Sequence, residues 1–497
     1  MTKSIKREII TDIYEAFGKY KKNKAFVIND ITYTYGQLAN AVYSISTQIC
    51  NRQDDIIGIV AENRLETYAS ILAVLLCGKT YVILHPSYPE DRNKNIAKQA
   101  GVNSLLHTED AQNFPLDNVL ERICTTELRQ STPPVAYLPQ DNQKNAYIIF
   151  TSGSTGEPKG VPISRENLNA FYHAYHKLGW QLSETDRMLQ MFELTFDVSV
   201  VSLLYPLTLG ACIYTVPVEG IKYLNVIDIL EKYEITFAAV APSLLQLVRP
   251  YFSEIQFPKL KYLIVTAEAS NAELLSAFKS CAPNAAFVNL YGPTEGTIYC
   301  TSYFIPPTGC KHHNGMVAIG KPFDGISIQL MADDDTPVLA GECGELWISG
   351  QQVMKGYWND PEKSGACLAQ WKDGKTYYKT GDLCKIDAEG DIIYYGRKDY
   401  QVKVQGFRIE LSEIEYVARQ FFDGKTGTVV TARQIENQGC ELHLFVEDTH
   451  FNSTELHEYI SKKLPYYMIP KQIHKIEHFP LNNSNKTDRK KLLDLIK

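Results

Sequence analysis

Ten consecutive residues, Thr151-Ser-Gly-Ser-Thr-Gly-Glu-Pro-Lys-Gly160, bring hydroxyls, three glycines and a lysine directly behind an apolar run, Ala146 to Phe150. Glycines let the backbone approach oxyanions closely, hydroxyl and N–H groups donate to phosphate oxygens, and a lysine adds a point charge. Thr151, Ser152, Gly153, Ser154, Thr155, Gly156 and Lys159 therefore form a candidate cradle for a polyphosphate. The spacing is not that of a Walker loop, because Lys159 follows Pro158 and precedes Gly160, where G-x-x-x-x-G-K-[ST] would be needed. Taken alone, the segment also reads as a polar surface turn.

The elements that would position this loop are legible in the hydropathy pattern. Short apolar runs, among them Ile56 to Val60, Thr80 to Leu84, Tyr147 to Phe150, Phe237 to Val240, Tyr262 to Val265 and Phe287 to Leu290, alternate with helical patterns. That alternation predicts stacked βαβ layers with parallel sheets, an α/β fold. Ser164 reads as an N-cap opening a helix just after the glycine loop, and Leu224 to Tyr233 and Ala272 to Lys279 read as amphipathic helices. After about Phe323 shorter alternating segments rich in Gly and Asp predict antiparallel β structure. From Asp399 a small α+β module begins, with strands near Val402 and Leu442 to Val446 and helices near Ser412 to Arg419 and Thr454 to Lys463. The expected organisation is a large domain, 1–398, with a β-rich subdomain, followed by a small domain, 399–497.

With 497 residues, 44% hydrophobic and 22% charged, the chain has ample length for a buried core. Its net charge of −7 argues against nucleic acid or an anionic membrane as the main partner, although the C-terminal stretch from Lys462 to Lys497 is locally basic. Eleven cysteines with no C-x-x-C pair read as reduced thiols of a cytoplasmic protein. The N-terminus shows no apolar export segment, and the longest apolar run, near Ala69 to Cys77, falls far short of the ~20 residues of a membrane span.

The glycine loop resembles the phosphate loop of the adenylate-forming family, which includes amino-acid adenylation domains, acyl- and aryl-CoA synthetases and luciferases. Further family motifs stand in the expected order: Tyr33 to Leu38, Leu76 to Val82 with Pro86, Phe196-Asp-Val-Ser199, Asn289 to Glu295, Gly344 to Gly350, Tyr378 to Leu383, Gly396-Arg-Lys-Asp399 with Gln401 to Glu415, Leu464 to Pro470 and Asn485-Lys-Thr-Asp-Arg489. The resemblance spans nearly the whole chain. It implies activation of a carboxylate by ATP, releasing pyrophosphate and leaving an acyl adenylate that a thiol opens.

On that resemblance, the loop holds the β- and γ-phosphates, Glu295 is the Mg²⁺ ligand, Thr294 lies near the α-phosphate and Tyr291 stacks on adenine. A hard cation on one carboxylate plus nucleotide phosphates is what Mg²⁺ prefers. Asp382 resembles the aspartate that accepts both ribose hydroxyls, and Arg397 the arginine that reaches ribose or phosphate. Lys486 matches the lysine of the mobile small domain that bridges the substrate carboxylate and the α-phosphate, where its charge matters most as the oxyanions converge. The family usually has Gly before that lysine; Asn485 is the next-best tolerated residue in the left-handed region.

Asp197 matches the aspartate that grips the α-ammonium of an amino acid, and a buried carboxylate there needs a cation. Motif offsets place Val198, Val201, Ala239, Ile264, Thr266, Leu290, Ile298 and Tyr299 around the side chain, a set without charge that implies a neutral, small or aliphatic substrate. Asp399 would be the pivot of the small domain and Gly406 would line a phosphopantetheine tunnel, while Gln405 stands where the family more often has Arg or His. Because the chain ends just after the lysine motif, the acceptor is expected to be a separate phosphopantetheinylated carrier protein. The implied protein is a stand-alone amino-acid adenylating ligase of the nonribosomal-peptide-synthetase type. A D-alanine:carrier-protein ligase is the nearest variant, a CoA ligase of a non-amino acid the alternative chemistry, and an inactive nucleotide-binding scaffold the non-enzyme rival.

Overall fold

A computed structural model describes residues 8–116, 121–128, 141–153, 157–399, 401–435, 439–481 and 487–496. The apolar runs become strands, four of them with the bounds expected: Ile56–Val60, Thr80–Leu84, Phe237–Val240 and Tyr262–Val265. They are buried along nearly their whole length, as strands covered on both faces must be.

Two sheets dominate. A nine-stranded sheet runs in the order Lys321–Pro322, Thr301–Phe304, Ala286–Tyr291, Tyr262–Val265, Phe237–Val240, Arg187–Gln190, Cys212–Thr215, Lys24–Ile28, Ile31–Thr34, parallel in its centre and antiparallel at both edges. A six-stranded sheet runs Glu121–Cys124, Ser104–His107, Ile56–Val60, Thr80–Leu84, Asn145–Thr151, Lys159–Ser164. The largest apolar cluster joins the two through helices Tyr35–Ile49, Leu65–Leu76, Arg165–His176 and Val198–Leu209. Leu65–Leu76 is buried on every side except at Glu66, the pattern of a helix enclosed between layers.

Ser164 caps Arg165–His176 as expected, accepting from Asn167 N–H in a reciprocal capping box. The glycine loop, however, does not lead straight into that helix. Its described ends, Thr151 and Lys159, pair with each other where the antiparallel strands Asn145–Thr151 and Lys159–Ser164 meet at the sheet edge.

Beyond Phe323 the β-rich region is an antiparallel sheet of Ser327–Met331, Cys343–Ser349, Thr376–Ile386, Leu368–Gln370 and Ile392–Arg397. From Gln401 the chain builds a hairpin, Gln401–Val404 with Phe407–Glu410, and a three-stranded sheet, with helices Leu411–Phe421 and Ser453–Ser461. These pack around a separate apolar core that includes Ile409, Ile414, Leu444, Leu456 and Met468.

The cysteine reading needs one correction. Cys50 and Cys77, at the C-terminal ends of the packed helices Tyr35–Ile49 and Leu65–Leu76, form a disulfide with Cα atoms 4.9 Å apart, and the other nine are free. Helix packing brings the pair together across 27 residues of sequence, which spacing alone does not reveal. Among the described residues no helix is long and apolar enough to cross a membrane.

Candidate functional site

A cleft opens at the carboxyl ends of the parallel strands Arg187–Gln190, Tyr262–Val265 and Ala286–Tyr291, where ligands of open α/β sheets bind. Its opposite wall is the Gln401–Glu410 hairpin of the small domain, through Gln401, Lys403, Gly406 and Arg408.

Asp197 stands at the mouth of helix Val198–Leu209, 9% exposed, and has no ion-pair partner among the described residues. Burial raises its carboxyl to about 6; the Thr294 hydroxyl and Val198 N–H oppose the rise, and the charge of Glu295 adds to it. Its value in the fold lies above that of an unfolded aspartate, so this group subtracts stability as pH rises from about 4 to 6. A cation in the cleft removes that penalty. Any ligand held through an ammonium group must meet the ionised form, so kcat/KM for such a ligand should fall by up to about tenfold per pH unit below 6 and level off above. A pH–rate profile checks this, and Asp197→Asn should lack that limb.

Glu295, fully buried in the turn Thr294–Gly296, accepts from Arg408 Nη1 at 2.6 Å and from the Tyr357 hydroxyl at 2.7 Å, with Lys159 Nζ at 3.8 Å. Burial alone would raise its carboxyl, but Arg408 and Lys159 override this and hold it at about 2. Among the described residues no group of three or more His, Cys, Asp or Glu could hold a metal by itself. A single ionised carboxylate beside a phosphate loop does fit a Mg²⁺ ion whose remaining ligands are phosphate oxygens and water. Here the positive charge that Glu295 requires comes from Arg408.

The phosphate loop is engaged by the small domain as well. Ser152 Oγ donates to the Arg408 carbonyl at 3.0 Å and accepts from Glu410 N–H at 3.1 Å. Gly153 N–H donates to Glu413 Oε2 at 3.1 Å, and Glu413 also pairs with Arg92 at 2.7 Å. Lys159 lies 3.8 Å from Glu410 and 5.0 Å from the centre of the Tyr357 ring. Ser154, Thr155 and Gly156 fall outside the described residues.

Asp382 is 5% exposed, and both of its oxygens are taken. The Tyr291 hydroxyl donates to Oδ2 at 2.5 Å and Arg397 Nη1 to Oδ1 at 2.8 Å. Arg397 spends the rest of its fork on the two oxygens of Asp399, at 2.7 and 2.8 Å. Gly406, at φ +83°, donates its N–H to Glu268 at 2.6 Å, and a Cβ there would meet Ala241 and Ala267 at 3.5 and 3.8 Å.

Of the expected side-chain pocket, Asp197, Val198, Thr266, Ile298 and Tyr299 line the cleft together with Tyr291, Thr294, Asp382, Arg397 and Gly406. Leu290 lines an adjoining pocket beside Glu268, Asn289 and Tyr394. Val201, Ala239 and Ile264 are buried in the largest apolar cluster and are not among the cleft's lining residues. Ala239 and Ile264 are register partners inside neighbouring strands, whereas the cleft is built from residues beyond the strand ends. Lys486 lies outside the described residues. The described residues on either side of it, Leu481 and Thr487, pair with each other, and Arg489 binds Glu415 at 2.7 Å.

Lys403, Arg408 and Glu413 were not singled out in the sequence. Lys403 lines both the cleft and the adjoining pocket, 5.9 Å from the Tyr291 ring, and burial lowers its ammonium pKa against the pull of Asp382. For Lys403 and Arg408 the signal was available: Gln401, Lys403 and Gln405 alternate with Val402 and Val404, as do Arg408 and Glu410 with Phe407 and Ile409, a period-two polar face.

A family model described as AMP-binding enzyme matches residues 14–358. The chain is 30% identical over 488 residues to tyrocidine synthase 3 of Brevibacillus parabrevis, covering 96% of this chain and 7% of that protein. It is 28% identical over 493 residues to gramicidin S synthase 1 of Brevibacillus brevis, covering 96% of this chain and 43% of that one. The chain thus spans less than half the length of these relatives. Among solved structures, the Vibrio cholerae adenylation domain AlmE, in complex with glycyl-adenosine-5'-phosphate, superposes with a TM-score of 0.85 at 27% identity, covering 98% of this chain and 97% of that one.

Proposed function

Because the chain belongs to the AMP-binding enzyme family, we propose that it activates an α-amino acid as its aminoacyl adenylate and then transfers the acyl group to the phosphopantetheine thiol of a carrier protein. The observation that carries the amino-acid reading is Asp197, a buried carboxylate lining the cleft with no ion-pair partner among the described residues, Lys403 acting on it only at longer range. An α-ammonium supplies the missing charge, whereas a fatty or aromatic acid would leave Asp197 buried and unpaired. The complex of AlmE with a glycyl adenylate supports the same reading.

In the first half-reaction a carboxylate oxygen of the amino acid attacks the α-phosphorus of ATP and the bond to pyrophosphate breaks. Ser152, Gly153 and Lys159, with Ser154, Thr155 and Gly156, would hold the triphosphate, and Lys486 would draw the two anions together. Mg²⁺, held through Glu295, would neutralise charge on the phosphates. Asp382 would accept the ribose hydroxyls once Arg397 and Tyr291 release an oxygen, and Thr294 would steady the α-phosphate.

In the second half-reaction the thiol sulfur attacks the acyl carbon and AMP leaves. The hairpin arrangement supports assigning it to this step, because Gly406 presents bare backbone at the cleft while Lys403 lies beside Asp382. We place the domain boundary at 398/399, so that Asp399, released from Arg397, is the hinge. ATP and carrier thiols put the reaction in the cytoplasm, where the Cys50–Cys77 bond would be unusual.

The test is pyrophosphate exchange over a panel of D- and L-amino acids and plain carboxylic acids, followed by acylation of a carrier protein or of free CoA. Exchange with amino acids and acylation of a carrier alone are expected. Turnover of plain acids with no amino acid accepted would overturn the reading.

A further inference from the structure

Among the described residues lining the cleft the cations are Arg397, Lys403 and Arg408, and the two arginines are already committed. Arg397 divides its fork between Asp382 and Asp399, and Arg408 sits on Glu295. Lys403 is different. Its ammonium makes no hydrogen bond and no ion pair among the described residues, and the Tyr291 ring that it faces is 5.9 Å away.

The hairpin makes this a costly place for an unpaired charge. Lys403 and Arg408 are register partners across the strands Gln401–Val404 and Phe407–Glu410, so their side chains share one face as like charges directly opposite each other. Val402, Val404, Phe407 and Ile409 take the other face and pack into the core of the small domain. Burial lowers the Lys403 ammonium pKa; Asp382 opposes the fall, Arg408 and Arg397 add to it, and Asp197 opposes it at longer range. Arg408 is relieved by Glu295, whereas Lys403 needs an anion from outside the chain.

The two carboxylates that act on Lys403 mark the ends of the expected ligand. Asp197 would hold the ammonium of an aminoacyl adenylate and Asp382 its ribose, and the group between ammonium and ribose in that molecule is the acyl phosphate. We propose that Lys403 is a catalytic residue of the second half-reaction: its ammonium contacts the α-phosphate of the aminoacyl adenylate and stabilises AMP as it leaves. The proposal rests on the amino-acid reading above. In this step the thiol sulfur bonds to the acyl carbon and the bond from that carbon to the phosphate oxygen breaks. The electron pair stays on the oxygen and the thiol proton passes to water. The phosphate moves from a single towards a double negative charge, so a fixed cation gains most while the bond is breaking. Because Lys403 is borne by the small domain, the charge arrives with the same hairpin that presents Gly406.

The experiment compares the full chain with its K403M and K403R variants, with melting temperature as the control for folding. Methionine keeps the length of the side chain and removes the charge; arginine keeps the charge. Calorimetry measures binding of AMP against adenosine, and single-turnover kinetics measures transfer to free pantetheine of whichever D- or L-amino acid gives the fastest pyrophosphate exchange. The native chain should prefer AMP to adenosine, K403M should cut that preference by about tenfold or more, and K403R should restore much of it. K403M should also slow transfer by about 10²-fold while pyrophosphate exchange falls by less than about tenfold. An AMP-to-adenosine ratio untouched by K403M, or equal losses in transfer and exchange, would overturn the proposal. If no amino acid supports exchange the amino-acid reading fails, and the AMP-to-adenosine ratio still decides by itself whether Lys403 meets the phosphate.

Discussion

Lys486→Ala should slow aminoacyl-adenylate formation by about 10³-fold, measured by pyrophosphate exchange, while transfer from preformed aminoacyl adenylate to pantetheine stays within a few-fold of the native rate. The magnitude follows from the charges brought together. A carboxylate and an α-phosphate repel each other as they close to bonding distance, and a fixed ammonium between them gains most at that point, so its loss falls on the transition state more than on substrate binding. The split between the half-reactions is the informative part. In the structure the hairpin Gln401–Glu410 faces the cleft, while Arg489, just beyond Lys486, is committed to Glu415. An equal loss in both half-reactions would mean that Lys486 serves a structural role instead.

Asp197→Asn should lower kcat/KM for the amino acid by about 10²- to 10³-fold, because removing one partner of a desolvated charge pair leaves the other buried and unpaired. The loss should appear chiefly as a raised KM for the amino acid, with ATP binding little changed. A second readout sharpens it: the native protein should reject the des-amino acid strongly, and the variant should discriminate weakly between the acid with and without its ammonium. Retained discrimination would move ammonium recognition to another group in the cleft.

Much of the fold was legible because its central strands are buried on both faces and bounded by turn residues, so Phe237–Val240 and Tyr262–Val265 announce themselves as uninterrupted apolar runs. The Lys159–Ser164 strand was not, since Pro162 and the preceding glycine loop make it read as a turn leading into a helix. In the site, Asp197, Tyr291, Thr294, Asp382 and Gly406 converge on one cleft as their motifs implied. Val201, Ala239 and Ile264, taken from motif offsets, sit in the apolar cluster behind the cleft lining, because offsets count along the chain without registering which face of a strand or helix a side chain takes. Arg408 and Glu413 escaped notice because their partners, Glu295 and Arg92, lie more than a hundred and more than three hundred residues earlier, a pairing that only tertiary structure creates.

The contacts of Arg408 and Glu413 also bear on the proposed reaction. A guanidinium sits on the carboxylate proposed for the metal, and a side-chain carboxylate sits on a backbone amide of the phosphate loop. While the hairpin is seated, Glu295 and the Gly153 N–H are both engaged from within the chain. On the proposed reaction, a seated hairpin and a bound triphosphate would compete for the same two groups, Glu295 and the Gly153 amide.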